Sequence, residues 1–374
     1  MNKIENPFIL TDYVSPLYFC DREEETKSLM SALKNGRDVT LRSPRRIGKT
    51  GLIKNVFYHI HTEDKDIACF YVDLMSTKCL GDFVRCFGEK VIGKLDTPLQ
   101  KAENFVSKFF RGSRVYWSAD TLNGEPKIGL EFEPSEERHT LQQIFDYIAQ
   151  SDRMCYIAFD EFQQIAEYAE DNVEALLRTH IQQCNNARFI FSGSKQHLLS
   201  DMFSSPKRPF YRSTEKMGLD ILDKNRYYEF AKGFFLRKGI SLDESVFDMI
   251  IGFTEGVTWY MQYLLNRLYE VCYENVTKED VIAAMQYILA LEQDDYQRII
   301  SGLTMNQLDL LRAIAKSGYV AEPTAKEFTR KYRLPATSSI FRALQYLVDN
   351  EIIYKSERGY IVYDRFFGQW LKEM

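Results

Sequence analysis

The sequence predicts an α/β chain: a parallel sheet flanked by helices, then an all-helical stretch, then a small C-terminal module of helices and two strands. Three observations carry that expectation. Cys155–Phe159 and Ala187–Phe191 are short, mainly apolar runs, of the sort buried on both faces of a parallel sheet. Amphipathic segments of helix length lie between such runs, and strand–helix alternation implies parallel crossovers. From about Asp223 the strand signal vanishes for about seventy residues, and a third unit begins after Ser301-Gly302.

The elements follow in order. Asp21 is the expected cap of a helix that runs to Leu33, its first turn rich in acids that favour the helix dipole. Asn35-Gly36 stops it, Asp38–Arg42 reads as a strand, and Lys49 to about His61 reads as a helix. Ile67–Leu74 is a second strand, in which Asp73 stands near the end. Arg114–Trp117 and Lys127–Phe132 flank Asn123-Gly124, a hairpin signal. Thr140–Ala149 places Leu141, Ile144, Phe145 and Ile148 on one helical face, and Asn172–Cys184 is the next helix.

Asn225–Arg237, Ser245–Phe253 and Trp259–Tyr273 are the helices of the middle stretch. In the third unit, Met305–Ile314, Ala325–Tyr332 and Ser338–Val348 read as short helices. The last shows Phe341, Leu344 and Val348 on one face, with Thr337 or Ser338 as its cap. Ile352–Tyr354 and Tyr360–Val362, joined by Lys355–Gly359, complete a helix–helix–helix–wing pattern, the winged-helix variant of helix-turn-helix.

At roughly 150 residues per domain, 374 residues allow two or three domains. The expected division is 1–222, 223–300 and 301–374. A chain 45% hydrophobic and 27% charged is not disordered, collagenous or of low complexity. Ile67–Val72 and Met154–Phe159 fall far short of the ~20 residues that span a bilayer, so no membrane partner is expected. Seven scattered cysteines without a Cys-x-x-Cys, and only five histidines, argue against zinc and for a reducing cytoplasm. The net charge is −5, yet residues 301–374 carry eleven Lys and Arg against eight Asp and Glu, a net of +3 that leaves −8 on the rest. Lys326, Arg330, Lys331, Arg333 and Arg342, with Lys355 and Arg358 on the wing, form the basic set a phosphate-contacting module would show. A mildly basic winged helix equally suits docking to protein.

Ser43-Pro44-Arg45-Arg46-Ile47-Gly48-Lys49-Thr50 lies between the first strand and its helix. A loop there can curl its N–H groups around a triphosphate, with the helix N-terminus aimed at it. Gly48 supplies a turn that a Cβ would obstruct, Lys49 reaches the β/γ oxygens, and the Thr50 hydroxyl suits Mg²⁺. Ser43 departs from the usual glycine. Ile157-Ala158-Phe159-Asp160-Glu161 puts two carboxylates at a strand end, where a parallel sheet presents ligand sites. Asp160 would hold Mg²⁺ and Glu161 would orient or deprotonate the attacking water; as easily, both acids cap the next segment. Ser192-Gly193-Ser194 either contacts phosphate and water or forms a turn that needs Gly193 for its backbone. Arg45 and Arg46 either neutralise phosphates, pair with Glu161, or stay as rim charges.

Together these residues resemble the P-loop ATPases of the STAND/AAA+ group. More narrowly, they resemble the bacterial and archaeal ATPases that pair an AAA-like domain with a C-terminal winged helix. The family loop Gly-Pro-Arg-Arg-x-Gly-Lys-Thr is matched by Pro44, Arg45, Arg46, Gly48, Lys49 and Thr50. Phe19-Cys20-Asp21-Arg22-Glu23-x-Glu25 is similar to the family box beside the nucleotide base, Asp160-Glu161-Phe162-Gln163 to its acidic strand end, and Ser192-Gly193-Ser194 to its sensor strand. Tyr363-Asp364-Arg365-Phe366-Phe367 and Trp370-Leu371 are similar to its closing phrase, with Arg365 in place of Pro. Those aromatics are read as packing back on the winged helix.

The resemblance implies a P-loop NTPase (AAA-like) parallel-sheet core, a helical lid and a C-terminal winged-helix domain, using ATP and Mg²⁺. It implies nucleotide contacts from Arg22, Ser192 and the loop Ser43, Pro44, Arg45, Arg46, Ile47, Gly48, Lys49, Thr50 and Gly51. Lys49, Asp160 and Glu161 would be catalytic, with Thr50 and Asp160 on the metal. In the phrase after the sensor helix, Pro209-Phe210-Tyr211-Arg212-Ser213, the arginine is shifted by one, and Arg212 is the candidate charge-stabilising arginine, acting across a subunit interface. Gly256-Val257-Thr258 stands where the group carries Gly-x-Pro in the lid. The expected partners are ATP, DNA through the winged helix, and a protein partner or a second copy. The alternative is a DNA-binding regulator in which ATP is mainly a structural ligand.

Overall fold

The computed structural model describes residues 4–92, 94–95, 113–119, 126–356 and 358–374. They form two compact units. One is Thr11–Ile221; the other joins Met1–Leu10 to Leu222–Met374.

In the first unit, strands β1 (Val39–Arg42), β2 (Ala68–Asp73), β5 (Cys155–Asp160), β6 (Ala187–Gly193) and β7 (Glu215–Gly218) build one parallel sheet in the order β2-β5-β6-β1-β7. All six residues of β5 are buried, which explains its unbroken apolar run. Helix α1 (Glu23–Lys34) precedes β1, and helices α2 (Lys49–Glu63), α3 (Leu80–Val91), α4 (Glu137–Ala149), α5 (Val173–Gln183) and α6 (Gln196–Ser204) supply the crossovers. Leu141, Ile144, Phe145 and Ile148 of α4 are buried, as their spacing predicts. Phe159, Phe162, Phe189, Phe191, Phe203 and Phe210 fill the core with ring centroids 4.6–6.2 Å apart. Strands β3 (Arg114–Ala119) and β4 (Pro126–Glu131) pair antiparallel; the Asn123-Gly124 turn lies outside the described residues.

Two details differ from expectation. β7 carries no strand pattern, because Glu-Lys-Met-Gly is an exposed edge that needs only its backbone bonds to β1. Helix α1 starts at Glu23 behind a left-handed Arg22, with no side-chain cap from Asp21. Asp21 is itself left-handed, at φ 58°, so it stands outside the cap position.

The second unit holds α7 (Lys224–Arg237), α8 (Glu244–Thr254), α9 (Thr258–Val271), α10 (Lys278–Leu291) and α11 (Gln293–Ser301). One strand pair escapes the sequence reading: β8 (Ser241–Leu242) and β9 (Asn275–Val276) are only two residues each, too short for any periodicity. The segment from Asn6 belongs here. Phe8 is fully buried among Phe230, Phe234, Phe235 and Tyr269; Asn6 Nδ2 donates to the Asn266 carbonyl (2.9 Å), and Asn266 Nδ2 donates to the Phe8 carbonyl (2.7 Å).

Helices α12 (Met305–Ser317), α13 (Lys326–Tyr332) and α14 (Thr337–Asp349) and strands β10 (Ile353–Ser356) and β11 (Gly359–Val362) follow. Gly359 is required: its φ is +124°, and a Cβ there would lie 2.5 Å from the Val320 backbone, where Val320 bridges to Tyr360. The buried face of α14 is Ile340, Ala343, Leu344 and Leu347, whereas Phe341 is 58% exposed. The predicted face was therefore rotated, because Phe341 is the largest apolar group yet points outward. Ala336, rather than Thr337 or Ser338, precedes the helix.

The closing helix α15 (Arg365–Glu373) packs on α12 and β11, and its aromatics also reach beyond the expected 301–374 module. Phe366 packs on Tyr260 of α9, and Phe367 and Trp370 pack on Tyr296 of α11. Arg365 is buried; its guanidinium donates to the Val362 carbonyl and to Tyr354 Oη (2.9 Å), and Nε lies 3.2 Å from Glu255 Oε2. Tyr319 Oη donates to the same Glu255 oxygen at 3.0 Å.

Candidate functional site

The C-terminal ends of β1, β2, β5 and β6 gather the residues that the sequence singles out. Strand β1 runs into Ser43, the loop follows, and Gly48 at φ 97° hands the chain to α2. Ser43 is buried and lies outside the positive-φ region, so no glycine is needed there. Arg46 does adopt positive φ, at 67°, and is exposed. Pro44 accepts from the Ser43 hydroxyl at 2.9 Å. The loop is braced from behind by buried Arg22, which donates to the carbonyls of Ile47 (3.4 Å) and Asp220 and pairs with Glu25. Gly51 admits the ring of Phe19, which would stand 3.0 Å from a Cβ.

Lys49 is 7% exposed, and its ammonium lies 3.4–3.5 Å from the carbonyls of Pro44 and Ser43. Burial pushes its pKa down, against the opposing pull of Asp160 and Glu161. Four groups converge on Asp160. Oδ2 accepts from Thr50 Oγ1 (2.9 Å) and Tyr71 Oη (2.5 Å); Oδ1 accepts from Ser192 Oγ (2.6 Å) and Glu161 N (3.0 Å). Glu161, left-handed at φ 54°, accepts from Gln163 Nε2 (2.6 Å) and from Ser194 Oγ (2.7 Å) and N (3.2 Å). Arg45 Nε donates to Ser194 Oγ at 2.9 Å, so it reaches Glu161 through a serine rather than directly.

Three participants were not singled out from the sequence. Tyr71 donates to Asp160, and burial followed by the Asp160 charge pushes its phenol pKa up. Asp73, in register with Asp160, adds a third carboxyl at this edge; partial burial raises its pKa, with Asp160 and Glu161 adding to the shift. A carboxylate near a strand end was its only signal. Gln163 holds Glu161. Arg212 is exposed at φ 52°, stacked 5.2 Å from the Tyr211 ring, and bonds to none of these groups among the described residues.

The donor set fits Mg²⁺, a hard cation that takes oxygen ligands and keeps few protein ones where phosphates share it. Thr50 Oγ1 and Asp160 are such oxygens. Among the described residues no group of three His, Cys, Asp or Glu side chains could hold a metal ion by itself.

Residues 294–373 match a family model described as "Probable winged helix domain". No curated protein matches the chain. Among solved structures, a Walker-type ATPase of Pyrococcus abyssi superposes with a TM-score of 0.67 at 19% identity, covering 98% of this chain and 99% of that one. The ORC2 protein of Aeropyrum pernix, solved as ADPNP–ADP complexes, gives 0.60 at 15% identity over 98% and 95%. The ORC1 protein of the same organism, solved with DNA, gives 0.55 at 12% identity over 98% and 96%. At such identities what is shared is the fold. The sheet order, the loop at its edge and the C-terminal winged helix together give this chain the fold of the AAA-like P-loop ATPases.

Proposed function

We propose that the chain binds Mg·ATP and hydrolyses its γ-phosphate, using the cycle to move a unit that carries the winged helix. The observation that carries this reading is the convergence of Thr50, Ser192 and the Glu161 amide on Asp160, one residue from a second carboxylate and beside buried Lys49. Loop N–H groups and Lys49 would hold the phosphates; Thr50 and Asp160 would hold the metal. Bound there, Mg²⁺ supplies positive charge against the phosphate oxygens. Glu161 orients a water for in-line attack on phosphorus and takes its proton as the bond to ADP breaks. Lys49 meets the charge that develops on the γ-oxygens. Arg212 would complete the site of a neighbouring copy, and turnover by an isolated chain is slow. All seven cysteines are free thiols, which suits a reducing cytoplasm. No helix among the described residues is long and apolar enough to cross a membrane.

The test is phosphate release. The purified chain should release phosphate from ATP with Mg²⁺ and stop when the metal is chelated. ATP that stays bound and uncleaved would favour the alternative, a DNA-binding regulator with ATP as a structural ligand.

DNA binding has its own support. Lys326, Arg330, Lys331, Arg333, Arg342, Lys355 and Arg358 are all exposed on α13, α14 and the wing or its approaches, and the A. pernix ORC1 structure contains DNA. Affinity for duplex should fall steeply with salt. Removing the charges of Arg330 and Lys331 should weaken binding alike on all sequences and flatten the salt slope by about two. Absence of binding at low salt would assign the winged helix to a protein partner.

A further inference from the structure

Glu161 is held by one oxygen only. Oε2 accepts all three donors, from Gln163 and from the hydroxyl and amide of Ser194, while Oε1 takes no bond from any described residue. The residue that makes the shortest of these bonds is costly to keep where it is. Gln163 is 1% exposed, and its own Oε1 is buried without a partner. A methionine or leucine there would fill the same space without leaving an acceptor unsatisfied.

A second concession accompanies it. Gly193 is the last residue of β6, and its φ is not positive, so its backbone does not require glycine. A Cβ at that position would lie 1.9 Å from Gln163 Oε1. Glycine at 193 is explained by room for the Gln163 carboxamide, not by the turn that its sequence context suggests. An orphaned acceptor and a glycine in a buried strand are both tolerated so that one N–H can reach Glu161.

We infer that Gln163 is the positioning residue for Glu161, and that the inference rests on the reading of Glu161 as the group that orients water. Anchoring Oε2 through Gln163 and Ser194 fixes the carboxylate plane and leaves Oε1 to meet the water. Ser194 Oγ accepts from Arg45 while donating to Glu161, so the anchor is also tied to the phosphate loop. Gln163 touches no reacting atom in this account; it acts through Glu161.

Gln163→Met keeps the volume and deletes the donor. The expected result is a kcat lowered about tenfold to a hundredfold, the scale at which misplacing a catalytic group is felt. KM and the ATP Kd should stay within about twofold, and thermal unfolding should be no earlier, since the orphaned acceptor is gone. In a Glu161→Gln background the same change should cost nothing more, because both act through one group. Loss of affinity and thermal stability together with kcat would make Gln163 a packing residue and overturn the inference. So would full kcat in Gln163→Met when Glu161→Gln abolishes cleavage. If Glu161→Gln itself cleaves ATP normally, the functional reading fails first and is recognised as the failure. Should Gln163→Met not fold, Ser194→Ala, which removes the second side-chain donor, must show the same kcat-only loss; an unchanged kcat there overturns the anchor.

Discussion

Lys49→Ala weakens ATP binding by about two orders of magnitude or more, beyond detection in ordinary titrations. Truncating one member of a desolvated, hydrogen-bonded charge pair costs ~2–5 kcal/mol, because the phosphate oxygens then lose their donor in a site with little water. Lys49 is well placed for a loss at the upper end. It is buried, begins α2, and lies against the carbonyls of its own loop, so little further ordering is needed on binding. The free protein gives a useful contrast. Burial already disfavours the ammonium there, so Lys49→Met, which removes the desolvated charge and keeps the stem, unfolds no earlier than wild type. Titration calorimetry with a non-hydrolysable ATP analogue, beside a thermal melt, checks both halves. Retained affinity in a folded Lys49→Ala protein would remove the loop from the phosphate site.

Glu161→Gln slows ATP cleavage about a hundredfold to a thousandfold, the usual contribution of a positioned general base, and leaves binding intact. The geometry says why so conservative a change is severe. Gln163 and Ser194 present three donors to one side of the residue, so a glutamine must turn its oxygen toward them. Its NH₂ group then occupies the place of Oε1, offering the water a donor where an acceptor is needed. A single-turnover measurement separates this from slow product release. Cleavage at the wild-type rate would show that another group takes the proton, with Asp73, in register with Asp160, an unassigned carboxyl on that edge.

Much of this site is legible in the sequence because its parts are local. Strand, loop and helix from Val39 to Glu63 are contiguous, and Asp160-Glu161 stand at the end of an apolar run that could only be a buried strand. Tyr71, Gln163 and the reason for Gly193 are not local. Each depends on which strands become neighbours, and nothing in the period of β2 or β6 states that β5 lies beside both. The same holds for Phe8, whose partners lie more than two hundred residues away. The rotated face of α14 has another cause. Phe341 breaks the rule that the largest apolar side chain faces inward.

The burial of Phe8 has a consequence for how the helical unit is completed. Residues up to Leu10 belong to the helical unit, those from Thr11 to Ile221 to the sheet, and those from Leu222 to the helical unit again. The polypeptide therefore crosses between its two bodies twice. The helical unit is thus assembled from two stretches of sequence, and the space between Phe230, Phe234, Phe235 and Tyr269 is filled by Phe8 from the first of them. The winged helix is joined to that same unit through Glu255, at the end of α8, with Tyr319 and Arg365. Cutting the chain between Leu10 and Thr11 would leave Phe8 held to the helical unit by its packing and by the bonds of Asn6 and Asn266, while every residue of the phosphate site stays on one covalent piece.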